Sequence, residues 1–454
     1  MSLTTVDIAH ILLALGLLLV AAHVCGYLFA RFRQPPVIGE ILGGLLLGPT
    51  IFGALLPDLQ AHVFPDSGPT APVLGAVYQL GLFLLMFAAG AELRGVFHRG
   101  ERKTASLITL SGTVLPFVLG LAVLQFVDLS SFEGTAGNGT AFLLVFAIAI
   151  AVTSIPVISR IMLDLGILET AFARIVLTAA VIEDVALYVV LAVAVGLVQQ
   201  QQGDGFGLTA LFGMDPASGL SMGYHVLATL AFFGLLLWLG PKVFRRVLHS
   251  PYNVLHRRNP IAFQLTVMLA LTGLCLFAGI TPLFGAFVAG IVVGVAGEDQ
   301  DKARESIKGF AFAFFVPVYF AIVGLRLDLI QDFNPLFFLA FLAFACAVKS
   351  LSVYAGGRLA GHTRFGAGNL AVAMNARGGP GIVLASVAFD ARIIDEQFYV
   401  VLVMLAVVTS LLAGSWLERV VKSGRPLLGL KPVKPRFDAA PDAGAGVLEG
   451  RNPA

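Results

Sequence analysis

Polar residues in this chain come in clusters, separated by apolar stretches long enough to cross a bilayer as helix, for which about 20 residues are needed. The stretches fall at 8–30, 36–56, 73–93, 104–127, 140–162, 172–199, 220–241, 260–280, 282–297, 310–330, 335–357, 367–389 and 398–418. The pattern predicts an all-α membrane protein of about 13 transmembrane helices. Only the Thr281-Pro282 break separates the eighth stretch from the ninth. Composition agrees: 58% of the 454 residues are hydrophobic and 12% charged, against about 25% charged in soluble domains. An ordinary soluble enzyme is excluded. Met1–Asp7 has no basic segment or cleavage site, so the first span reads as retained rather than as a signal peptide.

Charge changes the picture through its placement. The net charge of +2 gives no hint of a nucleic-acid partner. With the N-terminus outside, 25 of the 29 Lys and Arg residues fall on the inner side. Arg326 and Arg392 lie outside, and Lys349 and Arg377 within the membrane. This asymmetry predicts an odd number of spans with the C-terminus inside. The transmembrane domain is then 1–421, and 422–454, rich in Pro, Gly and Ala, is a disordered cytoplasmic tail. The tail is too short for a nucleotide-binding regulatory domain and has no dinucleotide fingerprint. Cys25, Cys275 and Cys346 read as small buried hydrophobes, and neither they nor the histidines form a metal motif. No cofactor is expected. The sequon Asn138-Gly139-Thr140 reads as incidental.

Two segments are alike: Gly39–Gly48 in the second span and Gly285–Gly294 in the ninth. Gly81–Arg94 in the third span is similar in texture to Phe312–Leu325 in the tenth. An offset of seven spans inverts one copy relative to the other. The expected plan is two inverted six-helix repeats joined by one linker span. The fifth span carries Thr153, Ser154 and Pro156, and the twelfth carries Asn375, Arg377, Gly378, Gly379 and Pro380. Proline and glycine in mid-span interrupt the helical ladder. The two sites occupy matching repeat positions, so two unwound helices should cross, placing helix ends at mid-depth.

The sixth span holds Glu183 and Asp184 in an apolar helix. An acid at the bilayer centre costs about 2.5–3.5 kcal/mol on an insertion scale. Neighbours on a helix point about 100° apart, so the two acids cannot share one partner symmetrically. One can face an aqueous cavity while the other meets a second helix. A carboxyl balanced between desolvation and a nearby cation can trade a proton for a metal cation. Lys349, in the eleventh span, is the natural countercharge. Arg377 either bridges carbonyls of the unwound helix or fixes a carboxylate. Glu40, Glu92, Arg326 and Asp328 sit nearer the span ends and read as packing or interfacial ion pairs.

Four blocks, Gln34–Pro49, Gly81–Leu93, Thr153–Val157 and Met374–Leu384, resemble the cation:proton antiporter superfamily, in its second branch of bacterial sodium or potassium/proton exchangers. The resemblance covers about 8–418. It implies a homodimer in the cell (inner) membrane, with a dimer part at 8–93 and 260–330, a moving core at 104–199 and 335–418, and a linker helix at 220–241. It implies elevator-type alternating access. It also puts the essential carboxylate on Asp184, its variable neighbour on Glu183 and the charge partner on Lys349. A titratable residue at 183 goes with electrogenic exchange. From the residues themselves, Thr153 and Ser154 would add neutral oxygens at the ion and proton site, and Pro156, Asn375, Arg377, Gly378, Gly379 and Pro380 would support the unwound helices. Export of an organic cation or ion-complexing metabolite on the same scaffold is the alternative. An intramembrane enzyme lacks its motifs, and midplane acids opposite a lysine suit coupled exchange better than a passive channel.

Overall fold

The computed structural model describes residues 3–32, 34–65, 68–92, 102–199, 219–294 and 300–428. Of the tail expected at 422–454, residues 422–428 are described, with Leu427 O accepting Asn369 Nδ2 at 3.1 Å, and the rest lies outside the described residues. The fold is a bundle of α1 (Thr5–Arg31), α2 (Pro36–Leu47), α3 (Thr70–Glu92), α4 (Thr104–Val123), α5 (Gly139–Ala151), α6 (Ile155–Asp164), α7 (Ala171–Gln199), α8 (Gly219–Leu248), α9 (Pro260–Phe277), α10 (Pro282–Gly294), α11 (Asp301–Leu325), α12 (Pro335–Leu359), α13 (Arg364–Ala373), α14 (Gly378–Asp390) and α15 (Glu396–Lys422). Helix starts are written in the sequence. Asn259 and Asn334 each precede a first-turn proline and accept the amide of Ala262 or Phe337. Asn138, in the incidental sequon, caps α5 in the same way. Such caps satisfy amides that the first turn leaves free.

Among the described residues, nine helices are long and apolar enough to cross a membrane, or up to eleven if each bent pair is one span. The sequence pattern predicted about 13. The difference lies in two places. The stretch 140–162 is broken after Ala151 into α5 and α6, and α10 is a helix of only 13 residues. Hydropathy counts apolar residues and cannot register where the backbone leaves the helix. Another boundary also shifts: α11 begins at Asp301 and ends at Leu325, not at 310 and 330. Its first turns carry Asp301, Arg304, Glu305 and Lys308, which an apolar window passes over.

The helices pack in two groups. In the first, α2 lies on α1 and α11, and α3 on α10 and α11, with α9 against α10. In the second, α4 contacts α5, α7 and α12, α13 contacts α12 and α15, and α14 contacts α6 and α15. Helix α8 touches both groups, through α10 and α7. The first group is held by two backbone crossings. A Cβ at Gly44 would collide with Ala321 O and one at Gly324 with Ile41 O, joining α2 to α11. At Gly90 and Gly290 it would collide with Phe287 O and Phe87 O, joining α3 to α10. Small residues let helices approach this closely in lipid, where apolar burial gives little driving force.

Candidate functional site

The second group crosses differently. Helix α5 ends at Ala151, and its last carbonyls lose their in-helix partners. Arg377 donates from Nε to Ala149 O at 3.2 Å and from Nη2 to Ile150 O at 3.1 Å. Lys349 Nζ donates to Ala151 O. Two cations thus sit at the negative end of a helix, where the dipole favours them. Arg377 Nη2 also reaches Ala345 O in α12 at 3.1 Å, and Nη1 reaches Asn375 Oδ1 at 3.2 Å. The carbonyls it bridges belong mainly to α5 and α12, with Asn375 O the one from its own broken helix.

The second broken helix answers the first. Thr153 Oγ1 donates to Met374 O at 2.5 Å, and Ser154 N to Ala376 O at 2.6 Å. Pro380 has no amide to give Ala376 O, four residues back, and Ser154 N takes that place. Ser154 Oγ caps α6, accepting Val157 N at 3.4 Å, and Pro156 stands second in that helix. Asn375 Nδ2 donates to Ser350 Oγ at 2.7 Å. Gly378 opens α14 with φ +31°, and a Cβ there would collide with Val157. Gly379 is open: its nearest atom, Phe320 Cζ, would be 4.0 Å from a Cβ.

Glu183 and Asp184 in α7 are both buried and face different ways. Glu183 points into its own group. Its Oε1 accepts Lys349 Nζ at 2.8 Å and Thr113 Oγ1 at 3.2 Å. Lys349 Nζ also donates to Gly112 O at 2.8 Å. Gly112 and Thr113 lie in a widened turn of α4, Leu110–Val114, followed by Pro116. That proline lacks the amide Gly112 O would otherwise meet, and widened turns of this kind collect at functional sites. Sequence reasoning passed over Gly112 and Thr113. The proline four residues after Gly112 was the signal.

Asp184 looks toward the other group. Tyr188, one turn along the same face, packs its ring 4.6 Å from that of Phe287 in α10. Asp184 Oδ1 has no hydrogen-bond partner among the described residues, nor has Glu183 Oε2. At the C-terminal end of α3, Glu92 pairs with Lys308 and lies within electrostatic reach of Asp184. A cavity of about 230 Å³ opens there between α3 and α11. Of the charges near span ends, Arg326 pairs with Asp390, and Asp328 accepts the amides of Ile330 and Gln331. Among the described residues no group of three His, Cys, Asp or Glu could hold a metal ion.

An all-helical membrane bundle with two broken helices joined at mid-depth, beside a buried carboxylate facing a seam, has the build of a secondary transporter. Known proteins agree. The family described as "Sodium/hydrogen exchanger, transmembrane" matches over residues 19–423. The chain belongs to this family: it is a multi-pass membrane protein and a secondary active monovalent cation/proton antiporter, not an enzyme. It is 28% identical over 411 residues to the Na(+)/H(+) antiporter NhaS4 of Synechocystis sp., covering 90% of this chain and 95% of that one. It is 28% identical over 409 residues to the K(+)/H(+) antiporter 1 of Saccharomyces cerevisiae, covering 87% of this chain and 46% of that longer protein. In fold it is similar to the sodium proton antiporter MjNhaP1 from Methanocaldococcus jannaschii, with a TM-score of 0.61 at 15% identity over 91% of this chain and 99% of that one.

Proposed function

We propose that Asp184 is the group for which a sodium or potassium ion and a proton compete. The observation that carries this is Asp184 Oδ1, a buried carboxylate oxygen at the seam with no partner among the described residues. An ionised acid at that depth costs about 2.5–3.5 kcal/mol, which a bound monovalent cation or a proton offsets. Glu183 stays with Lys349 in the resting state and releases it during the cycle. Thr153, Ser154 and the broken backbone around them supply neutral oxygens suited to a hard cation. The cavity beside Glu92 is the inner approach. Because Glu183 keeps a second titratable group, the exchange is electrogenic.

The two packing groups support a division of labour. Helices within 8–93 and 260–330 form the fixed scaffold and the homodimer contact, and those within 104–199 and 335–418 move as an elevator, with 220–241 linking them. Counting α5–α6 and α13–α14 as one span each gives thirteen, with N outside and C inside. The paired glycine crossings, α2 on α11 and α10 on α3, support an inverted repeat. The cell (inner) membrane is the site of action. The branch that fits best is the second one, of bacterial sodium or potassium/proton exchangers.

The test is proton flux in everted membrane vesicles on addition of sodium or potassium over a pH series. Flux with one or both ions, abolished in Asp184→Asn, is expected. Undiminished exchange in Asp184→Asn overturns the assignment, and flux driven by an organic cation but by neither metal ion overturns the substrate.

A further inference from the structure

At the outer end of the seam the two groups meet through charge. Asp390 is the last residue of α14, where the helix dipole disfavours a carboxylate. Two contacts hold it there, and a third ties its two partners to each other. Arg326 Nη1, just past α11, reaches Asp390 Oδ1 at 2.7 Å. Tyr78 of α3 donates from its hydroxyl to Asp390 Oδ2 at 2.9 Å. The Arg326 guanidinium lies over the Tyr78 ring, 4.6 Å from its centre. Both partners of Asp390 belong to the scaffold group, and Asp390 belongs to the other.

Beneath this cluster the polar side chains are incompletely satisfied. Tyr319 of α11 stacks 5.0 Å from Tyr78, and Ser386 of α14 lies one turn before Asp390. Tyr319 Oη, Ser386 Oγ and Tyr188 Oη are buried and make no hydrogen bond of good geometry among the described residues, although Ser386 lies close to the Tyr319 and Tyr399 hydroxyls. Tyr188 is within electrostatic reach of both Tyr319 and Asp184. Orphaned buried hydroxyls are rare in a settled core and call for an explanation. Here they stand in sequence along the seam, from Asp390 inward to Asp184. Outside the cluster, Asp390 lines a surface cavity of about 380 Å³ that also holds Glu133, Asp395 and Glu396, with Arg326 and Arg392. Acids outnumber bases at that mouth, a field that attracts cations.

We propose that Arg326 and Tyr78 are the outer latch of the transporter: they hold Asp390 and close a passage lined by Ser386, Tyr319 and Tyr188 that leads from the acidic mouth to Asp184. The inference rests on the two-group reading given above. In the closed state Arg326 occupies the carboxylate that an entering cation would meet first. The side chains of Arg326 and Asp390 are 33% and 30% exposed, so water competes for the pair. A latch of that kind is breakable during turnover.

The test uses the full chain with Cys25, Cys275 and Cys346 replaced by alanine and Ser386→Cys as reporter. A membrane-impermeant maleimide is added from outside to right-side-out vesicles. Arg326→Gln and Asp390→Asn should each raise the labelling rate about fivefold or more, and Tyr78→Phe about twofold, given that pairs of this type are individually weak. The exchanged pair, Arg326→Asp with Asp390→Arg, should bring the rate back toward that of the parent. Ser352→Cys, buried in α12 away from the seam, reports general loosening and should stay unlabelled in every variant. Unchanged labelling at 386 in both single variants overturns the latch, as does an equal rise at 352. Labelling needs no ion flux, so it stands or falls separately from cation binding at Asp184.

Discussion

The two helix groups solve the same problem, close crossing of helices in lipid, by opposite means. In the first group, α2 meets α11 and α3 meets α10 backbone to backbone, through Gly44, Gly324, Gly90 and Gly290. The helices stay whole and no side chain intervenes. In the other group, α5–α6 and α13–α14 meet where both are broken, and Thr153, Ser154, Lys349 and Arg377 satisfy the loose ends. The first crossing brings backbones together without a polar side chain, its carbonyls staying within intact helix. The second exposes carbonyls and helix ends, and every one of them has to find a partner. In the exchange proposed above, the second crossing is the one beside the charged cargo.

Substitutions should break the two crossings differently. The largest effect is expected at the crossing of the first group. Gly44→Val drives a branched side chain into Ala321 O, and the folded protein should be lost, as size-exclusion chromatography in detergent would show. Gly379→Ala, in the glycine-rich break, should be tolerated, because the nearest atom to the new methyl, Phe320 Cζ at 4.0 Å, is at ordinary contact distance. Next comes Lys349→Ala, which strands Glu183 together with Gly112 O and Ala151 O. Breaking a buried pair from one side costs about 3–5 kcal/mol, read as a lowered Tm. Removing Glu183 as well, as Lys349→Met with Glu183→Met, should recover only part of the loss. The two carbonyls stay unpaired at about 1–3 kcal/mol each.

Arg377→Lys should come third. An ammonium cannot span Ala149 O, Ile150 O and Ala345 O as the planar guanidinium does. One carbonyl left bare costs about 1–3 kcal/mol, and flux should fall more than stability because the break itself is displaced. The smallest effect is expected at Asn138→Ala, which removes the cap of α5 for about 1 kcal/mol. Its proton flux should match the parent's. A loss of flux as deep as in Arg377→Lys would mean that the crossing is sensitive to any strain on α5.

Much of the second crossing was legible because lipid makes polar residues expensive. Glu183, Asp184, Lys349 and Arg377 stand out against an apolar background, and Pro156 and Pro380 mark the breaks. The acceptors were harder to read. Ala149 O, Ile150 O, Ala151 O and Ala345 O belong to residues whose side chains say nothing. Gly112 O was readable only through Pro116. A parallel case is Ala313 O, which Pro317 cannot reach and which His23 Nε2 meets at 2.9 Å across α1. The Arg326–Asp390 pair shows another limit. Each charge is visible alone, but their meeting depends on how two groups pack, and no local pattern encodes that.

In the exchange proposed here, the four buried charges also govern how the membrane potential acts. Glu183, Asp184, Lys349 and Arg377 all belong to one packing group. With both acids ionised and both bases protonated they sum to zero, so the empty group feels almost no electrical force. A monovalent cation on Asp184 makes it +1. One charge crossing the full membrane potential corresponds to about 2.3 kcal/mol per 100 mV. In the exchange proposed here, voltage therefore acts on the loaded group and leaves the empty one indifferent. The ion pair inside the core is then an electrical counterweight as well as a structural clamp.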